Sequence, residues 1–313
     1  MMRVERERRE VEPEASRLLR TSVVIPAFNE AETLAGVLTG LLNLPGVQVD
    51  EILVVDDGST DDTSQVAGAF DGVTVLRSPY NKGNGASVKT GIRHATGEII
   101  VVLDADGQHP SDQIPELLKY VGEYDMVVGC RTRADSRLRS LGNAVLARLA
   151  SRLSGVGIPD LTSGFRCVKR SVLMEFMHLY PNGFSFPATS TLAFISAGYS
   201  VKFVRVNTRR RDGGKSKIHP LQDATRFIVV ILRIVSTFYP LKVFVPASIF
   251  SILMAILWSI RTVMISGQVS PVGAIFLIVG VFLLLFGLLA DQMASIRMEI
   301  GRIAGKRDTE RVP

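Results

Sequence analysis

Through the first two-thirds of the chain, short continuous apolar runs alternate with amphipathic stretches. "TSVVIPAF" is a β-branched run closed by proline, followed by "NEAETLAGVLTGLLNL", in which Leu34, Val37, Leu38, Leu41 and Leu42 recur at helical spacing. The pattern then predicts a strand in "EILVVDD", a helix in "DTSQVAGAF", a strand in "GVTVLRS" and a helix in "ASVKTGIRHA". A further strand, "EIIVVLDAD", precedes a helix over "SDQIPELLKYVGEY" and the strand "DMVVGC". Strands that are apolar throughout are buried on both faces, so this pattern predicts an α/β domain over 21–220 with a mostly parallel sheet covered by helices. Ligands of such sheets bind beyond the carboxyl ends of the strands. Two acidic clusters fall at those ends.

The pattern changes in the last third. "VFVPASIFSILMAILWSI" (Val243–Ile260) and "PVGAIFLIVGVFLLLFGLLA" (Pro271–Ala290) are each apolar for about the 20 residues that span a bilayer, and predict a transmembrane hairpin over 241–292. Lys and Arg are concentrated before it, over Lys202–Lys217, and after it, over Arg297–Arg311, which places both flanks and both termini on the cytoplasmic side of the cell membrane. Arg261 runs against this orientation near the outer end of the first span, where its long side chain can snorkel. "DATRFIVVILRIVSTF", apolar except for a few charges such as Arg226 and Arg233, suits a juxtamembrane interfacial helix within 221–240 or an ordinary core helix. Residues 1–20 mix both signs of charge without an apolar core and read as a solvated tail, not a signal peptide, and 293–313 reads as a basic tail.

At 313 residues with 47% hydrophobic content, the chain can support a substantial core. Cys130 and Cys167 form no metal-binding spacing and suggest reduced thiols. The net charge of +6 would suit nucleic acid or a membrane surface, but the basic clusters lack interleaved aromatics and two spans lie nearby, which favours lipid phosphate over nucleic acid.

Chemistry concentrates in a few stretches. In "DADGQHP", Asp104 and Asp106 stand two apart, and on an extended strand they would point to the same side, a fit for Mg²⁺ or Mn²⁺ with Gln108 in reach. In "VVDDGSTDD", Asp56 and Asp57 could accept hydrogen bonds from a nucleobase or ribose, while Thr60, Asp61 and Asp62 suit helix capping. "NKGNGAS" has the look of a phosphate cradle without matching either glycine-rich fingerprint, and Lys82 there is a diphosphate contact or a surface lysine. Within the basic clusters "GCRTRADSRLRSLGN" and "TSGFRCVKR", the candidates for an acceptor phosphate are Arg131, Arg139, Ser163 and Arg166. No pair or triad of histidines suggests a metal, and His109 beside Pro110 reads as structural.

Taken as an ordered set, "SVVIPAFNE", "EILVVDDGSTDDT", "NKGNGASVKTGI", "VVLDADGQHP", "DLTSGFRCVKR" and "RDGGKSK" resemble the family-2 glycosyltransferases with the GT-A fold, and more narrowly the dolichyl-phosphate mannose synthase and bacterial polyprenyl-phosphate hexosyltransferase branch. The resemblance implies a Rossmann-like GT-A catalytic domain and a nucleotide-sugar pocket lined by Pro26, Phe28 and Glu30, with Val55, Asp56 and Asp57 at the nucleoside and Ala105 beside the metal acids Asp104 and Asp106. It implies that Gln108 assists those acids, that Arg131 lies near the phosphates, and that Arg211 and Lys217 end a loop clamping the donor diphosphate. Cys130 and Gly107 depart from residues common in the family without removing a charge, and the Q-x-x-R-W motif of processive members is absent.

The activity so implied is metal-dependent, inverting transfer of one hexose from a nucleotide-diphosphate sugar to a membrane polyprenyl monophosphate. A phosphate monoester has a second pKa near about 6 and is largely a dianion at neutral pH, so no strong general base is required. Related bacterial proteins assemble as tetramers, so the resemblance also allows a homo-oligomer. A non-catalytic membrane scaffold and a nucleotidyltransferase releasing pyrophosphate are the alternative readings.

Overall fold

The computed structural model describes residues 19–131, 137–183, 185–208, 229 and 231–309, with backbone alone at 137–141 and 301–309. β1 (Thr21–Ala27), α1 (Ala31–Leu42), β2 (Glu51–Asp56), α2 (Thr63–Gly68), β3 (Val73–Arg77), α3 (Asn84–His94) and β4 (Ile99–Val102) follow one another as the hydrophobic pattern requires. A short 3₁₀ turn, Ser111–Gln113, then enters α4 (Ile114–Leu118), and β5 (Met126–Arg131), α5 (Arg137–Ser154), β6 (Arg166–Lys169), α6 (Arg170–Glu175), α7 (Phe186–Ser196) and β7 (Val201–Val206) complete the domain.

The seven strands form one sheet in the order β3-β2-β1-β4-β6-β5-β7. All neighbours are parallel except β6, which runs antiparallel to both β4 and β5. Alternation along each strand divides the core between two faces. Val23, Ile25, Val54 and Val101 pack under α1 and α4, whereas Val24, Leu53, Val55 and Ile100 pack under α3, α6 and α7. Each such fully buried aliphatic side chain contributes about 1.5–3 kcal/mol.

β6 positions the site. Its register pairs Val102 with Arg166 and Ile99 with Lys169, so the residues just before β6, Ser163 to Phe165, lie beside the end of β4. The hydrophobic pattern does not predict this strand, which is four residues long and carries a charge at each end.

Residues 231–238 form a helix, α8, leading into α9 (Pro240–Ser266) and α10 (Pro271–Thr309). Pro240–Ser266 and Pro271–Ile300 are long and apolar enough to cross a membrane, with mean hydropathies of 2.2 and 3.0. Gly267, at φ 67°, ends α9 in the left-handed conformation, and Ser270 Oγ accepts from Gly273 N to start α10. Glycines at 273, 280 and 287 face α9, where a Cβ on Gly280 would lie 2.7 Å from Ile252 Cγ1. That closeness lets Ser248 Oγ donate to Gly280 O at 2.7 Å and Ser251 Oγ to Phe276 O at 2.7 Å. Arg261 stacks over the Trp258 ring at 5.6 Å.

One expectation changes here. The segment after the second span is not a separate tail over its described part, because α10 continues through it and Arg297 O meets His178 Nε2 at 2.9 Å while Met298 packs against the core beneath α6. At the other end of the hairpin, Lys242 Nζ donates to Leu153 O at 2.6 Å. Both open ends of the hairpin thus rest on the α/β domain. The tail over residues 1–18 and the loop with Arg211 and Lys217 lie outside the described residues, as does the side chain of Arg139.

Candidate active site

A pocket of about 410 Å³ opens beyond the carboxyl ends of β1, β2 and β4. Pro26, Ala27, Phe28 and Glu30 line it from the loop after β1, Asp57 from the end of β2, and Asp104, Ala105 and Asp106 from the turn after β4. Asn81, Asn84 and Ser87 complete it from the start of α3.

The loop after β1 is built around Asn29, whose φ of 55° suits the short amide side chain. Its Oδ1 accepts from Thr60 N at 2.8 Å, its own N donates to Ser59 Oγ at 3.0 Å, and Glu30 N donates to Thr63 Oγ1 at 3.0 Å. These bonds fasten the β1 loop to the β2 loop and hold Phe28 and Glu30 at the pocket. Neither Asn29 nor Ser59 stands out in the sequence analysis, although asparagine after a strand and before a helix is a signal for a left-handed turn.

Asp104 and Asp106 converge by a route different from the expected one. β4 ends at Val102, so the two acids belong to the following turn and not to one face of a pleated strand. The turn is anchored where Thr33 Oγ1 donates to Ala105 O at 2.9 Å and Gln108 N donates to Asp106 Oδ1 at 3.1 Å. Gly164, delivered by β6, lies against the Asp104 carboxylate, and a Cβ there would approach Oδ1 to 2.8 Å. Burial and the neighbouring Asp106 charge push the Asp104 carboxyl up to about 6. Two crowded carboxylates, disfavoured by mutual repulsion, fit a hard divalent cation completed by phosphate oxygens and water. Among the described residues there is no group of three or more His, Cys, Asp or Glu side chains that would hold a metal without such help.

Several residues expected at the ligand have partners within the protein. Asp56 is fully buried and serves its own loop: Oδ1 accepts from Ser59 N at 2.8 Å, and Oδ2 accepts from Ser64 Oγ and lies 3.6 Å from Arg77 Nε. Burial works against its charge, but those hydrogen bonds and Arg77 prevail and the carboxyl lies below its usual range. Val55 points into the core beneath α3 and not into the pocket. Arg166 is fully buried; its guanidinium donates to Pro187 O at 3.0 Å, to Ser190 Oγ at 2.5 Å and to Ser163 O, which makes it a strut between β6 and α7 and not an accessible phosphate contact. Ser163 Oγ is likewise turned inward, to Gly129 O at 2.5 Å. Arg131 reaches across to Asp160, with Nε–Oδ2 at 2.9 Å and a second bond from the same guanidinium at 3.0 Å, so it enters the site's electrostatics from a fixed bidentate pair.

Most amides of the "NKGNGAS" loop, expected as a phosphate cradle, are committed within the protein. Lys82 N and Gly83 N each donate to Asp57 at 2.8 Å, Gly85 N donates to Gly183 O at 3.3 Å, and Ala86 N donates to Asn182 O at 2.9 Å. Lys82 itself is exposed, with Nζ 5.6 Å from the Tyr80 ring centroid. His109 is buried against Phe165 at 5.3 Å, the structural role its neighbourhood in the sequence suggests. Cys130 and Cys167 are free and buried, and burial raises the Cys130 thiol to about 12.

Residues 22–177 match the family model described as Glycosyl transferase family 2, and residues 239–296 match that of the GtrB C-terminal hairpin. The chain carries a glycosyl transferase family 2 domain followed by a GtrB C-terminal hairpin. Similar proteins include glycosyltransferase AglJ of Haloferax volcanii, 28% identical over 88% of this chain and 94% of its own length. The putative glycosyltransferase CsbB of Bacillus subtilis is also 28% identical, over 89% of this chain and 88% of its own. Among solved structures, glucosyl-3-phosphoglycerate synthase from Mycobacterium tuberculosis with Mn²⁺ and uridine-diphosphate-glucose superposes with a TM-score of 0.57 at 26% identity, covering 70% of this chain and 78% of that one. The same synthase with Mg²⁺ and uridine diphosphate gives 0.58 at 24% identity, covering 70% and 79%. The chain is therefore a glycosyltransferase of GT-A fold, and its β4 turn and α3 wall belong to the matched region.

Proposed function

We propose that this glycosyltransferase moves a single hexose from a nucleotide-diphosphate sugar to a membrane polyprenyl monophosphate, with Mg²⁺ or Mn²⁺ at Asp104 and Asp106. The observation that carries the reading is the joining of two features in one chain: a strand-end pocket with paired carboxylates, and an apolar hairpin whose open ends rest on the domain that holds that pocket. A prenyl chain leaves the bilayer at a cost of about 0.8 kcal/mol per CH₂, so an enzyme for it is best held at the membrane. The donor and metal parts of the reading draw support from the solved relatives that contain uridine diphosphate with Mn²⁺ or Mg²⁺.

In the proposed reaction a lipid-phosphate oxygen attacks the anomeric carbon as the bond to the donor diphosphate breaks, the electron pair leaving on the nucleoside diphosphate and the anomeric centre inverting. When bound, a divalent ion supplies charge compensation to that leaving group. The chain's own part is positional: Thr33 and Gln108 fix the acidic turn, Gly164 gives Asp104 room, and Asn29 holds Phe28 and Glu30 at the opposite wall. Both termini of the described hairpin lying at the catalytic domain supports a common cytoplasmic face for them, as the flanking basic residues imply.

The test is a panel of labelled nucleotide hexoses incubated with detergent-purified protein, divalent ion and a short polyprenyl phosphate. Label is expected in the organic-extractable fraction for one donor, and its absence with every donor rejects the lipid acceptor. A pH dependence follows from Asp104. A carboxyl raised to about 6 is charged above that value and protonated below it, so ion affinity at this site is expected to fall about ten-fold per pH unit below about 6. Mn²⁺ titrations between pH 7.5 and 5 measure this directly, and a flat profile contradicts the assignment of the ion to Asp104.

A further inference from the structure

A buried hydroxyl in the pocket wall lacks a hydrogen-bond partner among the described residues. It belongs to Ser87, which is 1% exposed and lines the pocket from the first turns of α3. Burying a hydroxyl without a hydrogen bond is unfavourable, so its presence at a pocket wall points to a ligand atom that completes it.

The position within the pocket narrows what that atom is. β1 lies between β2 and β4, so the Asp57 side and the Asp104 side are separated by two strand spacings, about 10 Å. α3 packs on β1 and β2, and Gly83 N at its entry donates to Asp57 Oδ2 at 2.8 Å, so the first turn of α3 that carries Ser87 starts from the Asp57 side of the pocket. A nucleoside diphosphate with its phosphates at Asp104 and Asp106 then presents its base to Ser87. Asp57 accepts one backbone amide on each oxygen and, as a carboxylate, retains acceptor capacity for a ring N–H. A hydroxyl donor beside a carboxylate acceptor matches a base edge that carries a carbonyl next to an N–H, as uracil and guanine do. Cytosine and adenine present an unprotonated ring nitrogen at that edge, which would face the carboxylate lone pairs.

We propose that Ser87 is a specificity residue of the donor site, its hydroxyl donating to the carbonyl of a lactam-type nucleobase. The inference rests on the nucleotide-sugar reading above and adds the base class and the residue that reads it.

Full-length wild type and Ser87→Ala are titrated with uridine, guanosine and cytidine diphosphates in the presence of Mn²⁺, and both are melted without nucleotide. Wild type is expected to bind uridine or guanosine diphosphate more tightly than cytidine diphosphate. Ser87→Ala is expected to weaken the preferred nucleotide about ten-fold, leave cytidine diphosphate nearly unchanged, and melt at the same or a higher temperature because an unbonded buried hydroxyl has been removed. Unchanged affinity for the preferred nucleotide in Ser87→Ala overturns the role of Ser87 while leaving the donor reading intact. Weaker binding accompanied by a clearly lower melting temperature assigns Ser87 to the fold and also overturns it. Wild type that binds no nucleoside diphosphate overturns the nucleotide-sugar reading itself.

Discussion

Asp104→Asn is expected to abolish glycosyl transfer, by at least about a thousand-fold, and at the same time to make the ligand-free protein more stable at neutral pH. The two effects have one origin. Asp104 is held at a crowded position, where burial and the Asp106 charge raise its carboxyl to about 6, so ionisation there opposes folding. Its folded-state value lies above its ordinary one of 3.8, so the ligand-free native state binds the proton more tightly than the unfolded chain. Stability associated with this group therefore increases as pH falls from about 6 towards 4 and is lowest above 6. The neutral amide removes the opposing charge, with a gain of about 1–2 kcal/mol at pH 7 once partial solvent exposure is allowed for. The same substitution removes a ligand for the ion that compensates the leaving group, a loss of the size seen when a preorganised electrostatic contact is deleted. Thermal melts of both proteins at pH 7.5 and 4.5, beside transfer assays, check the pair of effects; a less stable variant at pH 7.5 contradicts the electrostatic account of the site.

Gly85→Ala is expected to destabilise the domain by more than about 2 kcal/mol and to lose donor binding with it. A Cβ at this position collides with Pro181 O and falls 2.8 Å from Gly183 O, both backbone atoms that cannot rotate away. The helix start must then separate from the 181–183 segment, breaking the bonds from Gly85 N to Gly183 O and from Ala86 N to Asn182 O. Asn84 and Ser87, which line the pocket from the same turns, are displaced together. Chemical denaturation and nucleotide titration on one preparation measure both losses. Gly36→Ala is the matched control, since nothing lies within 4 Å of a Cβ there.

The order of β1 to β5 was legible in the hydrophobic pattern because β1, β2, β4 and β5 are buried on both faces with largely apolar runs, while β3, half-buried at the sheet edge, keeps enough β-branched residues to read as a strand. The hairpin was legible by length and hydropathy, and the acidic turn by two aspartates at the end of such a run. What escaped the pattern depends on partners distant in sequence. β6 is recognisable only once β4 and β5 are in place on either side of it. The loop at 81–87 has the composition of an anion site, yet the amides of Lys82 and Gly83 are claimed by Asp57 and those of Gly85 and Ala86 by carbonyls about a hundred residues away. Asp56, Arg131 and Arg166 carry charges suited to ligands, but their hydrogen bonds turn them towards the protein. Ser87 presents the opposite case, a helix residue whose proposed role comes from having no hydrogen-bond partner among the described residues.

Phosphorus NMR of a running reaction, with protein, divalent ion, donor and short polyprenyl phosphate in detergent, tests the central claim most directly because it reports every phosphorus-containing species together. The account predicts that the lipid monoester signal is replaced by a phosphodiester signal in step with the appearance of an equal amount of nucleoside diphosphate. Release of pyrophosphate, or consumption of the donor while the lipid monoester remains unchanged, would contradict it.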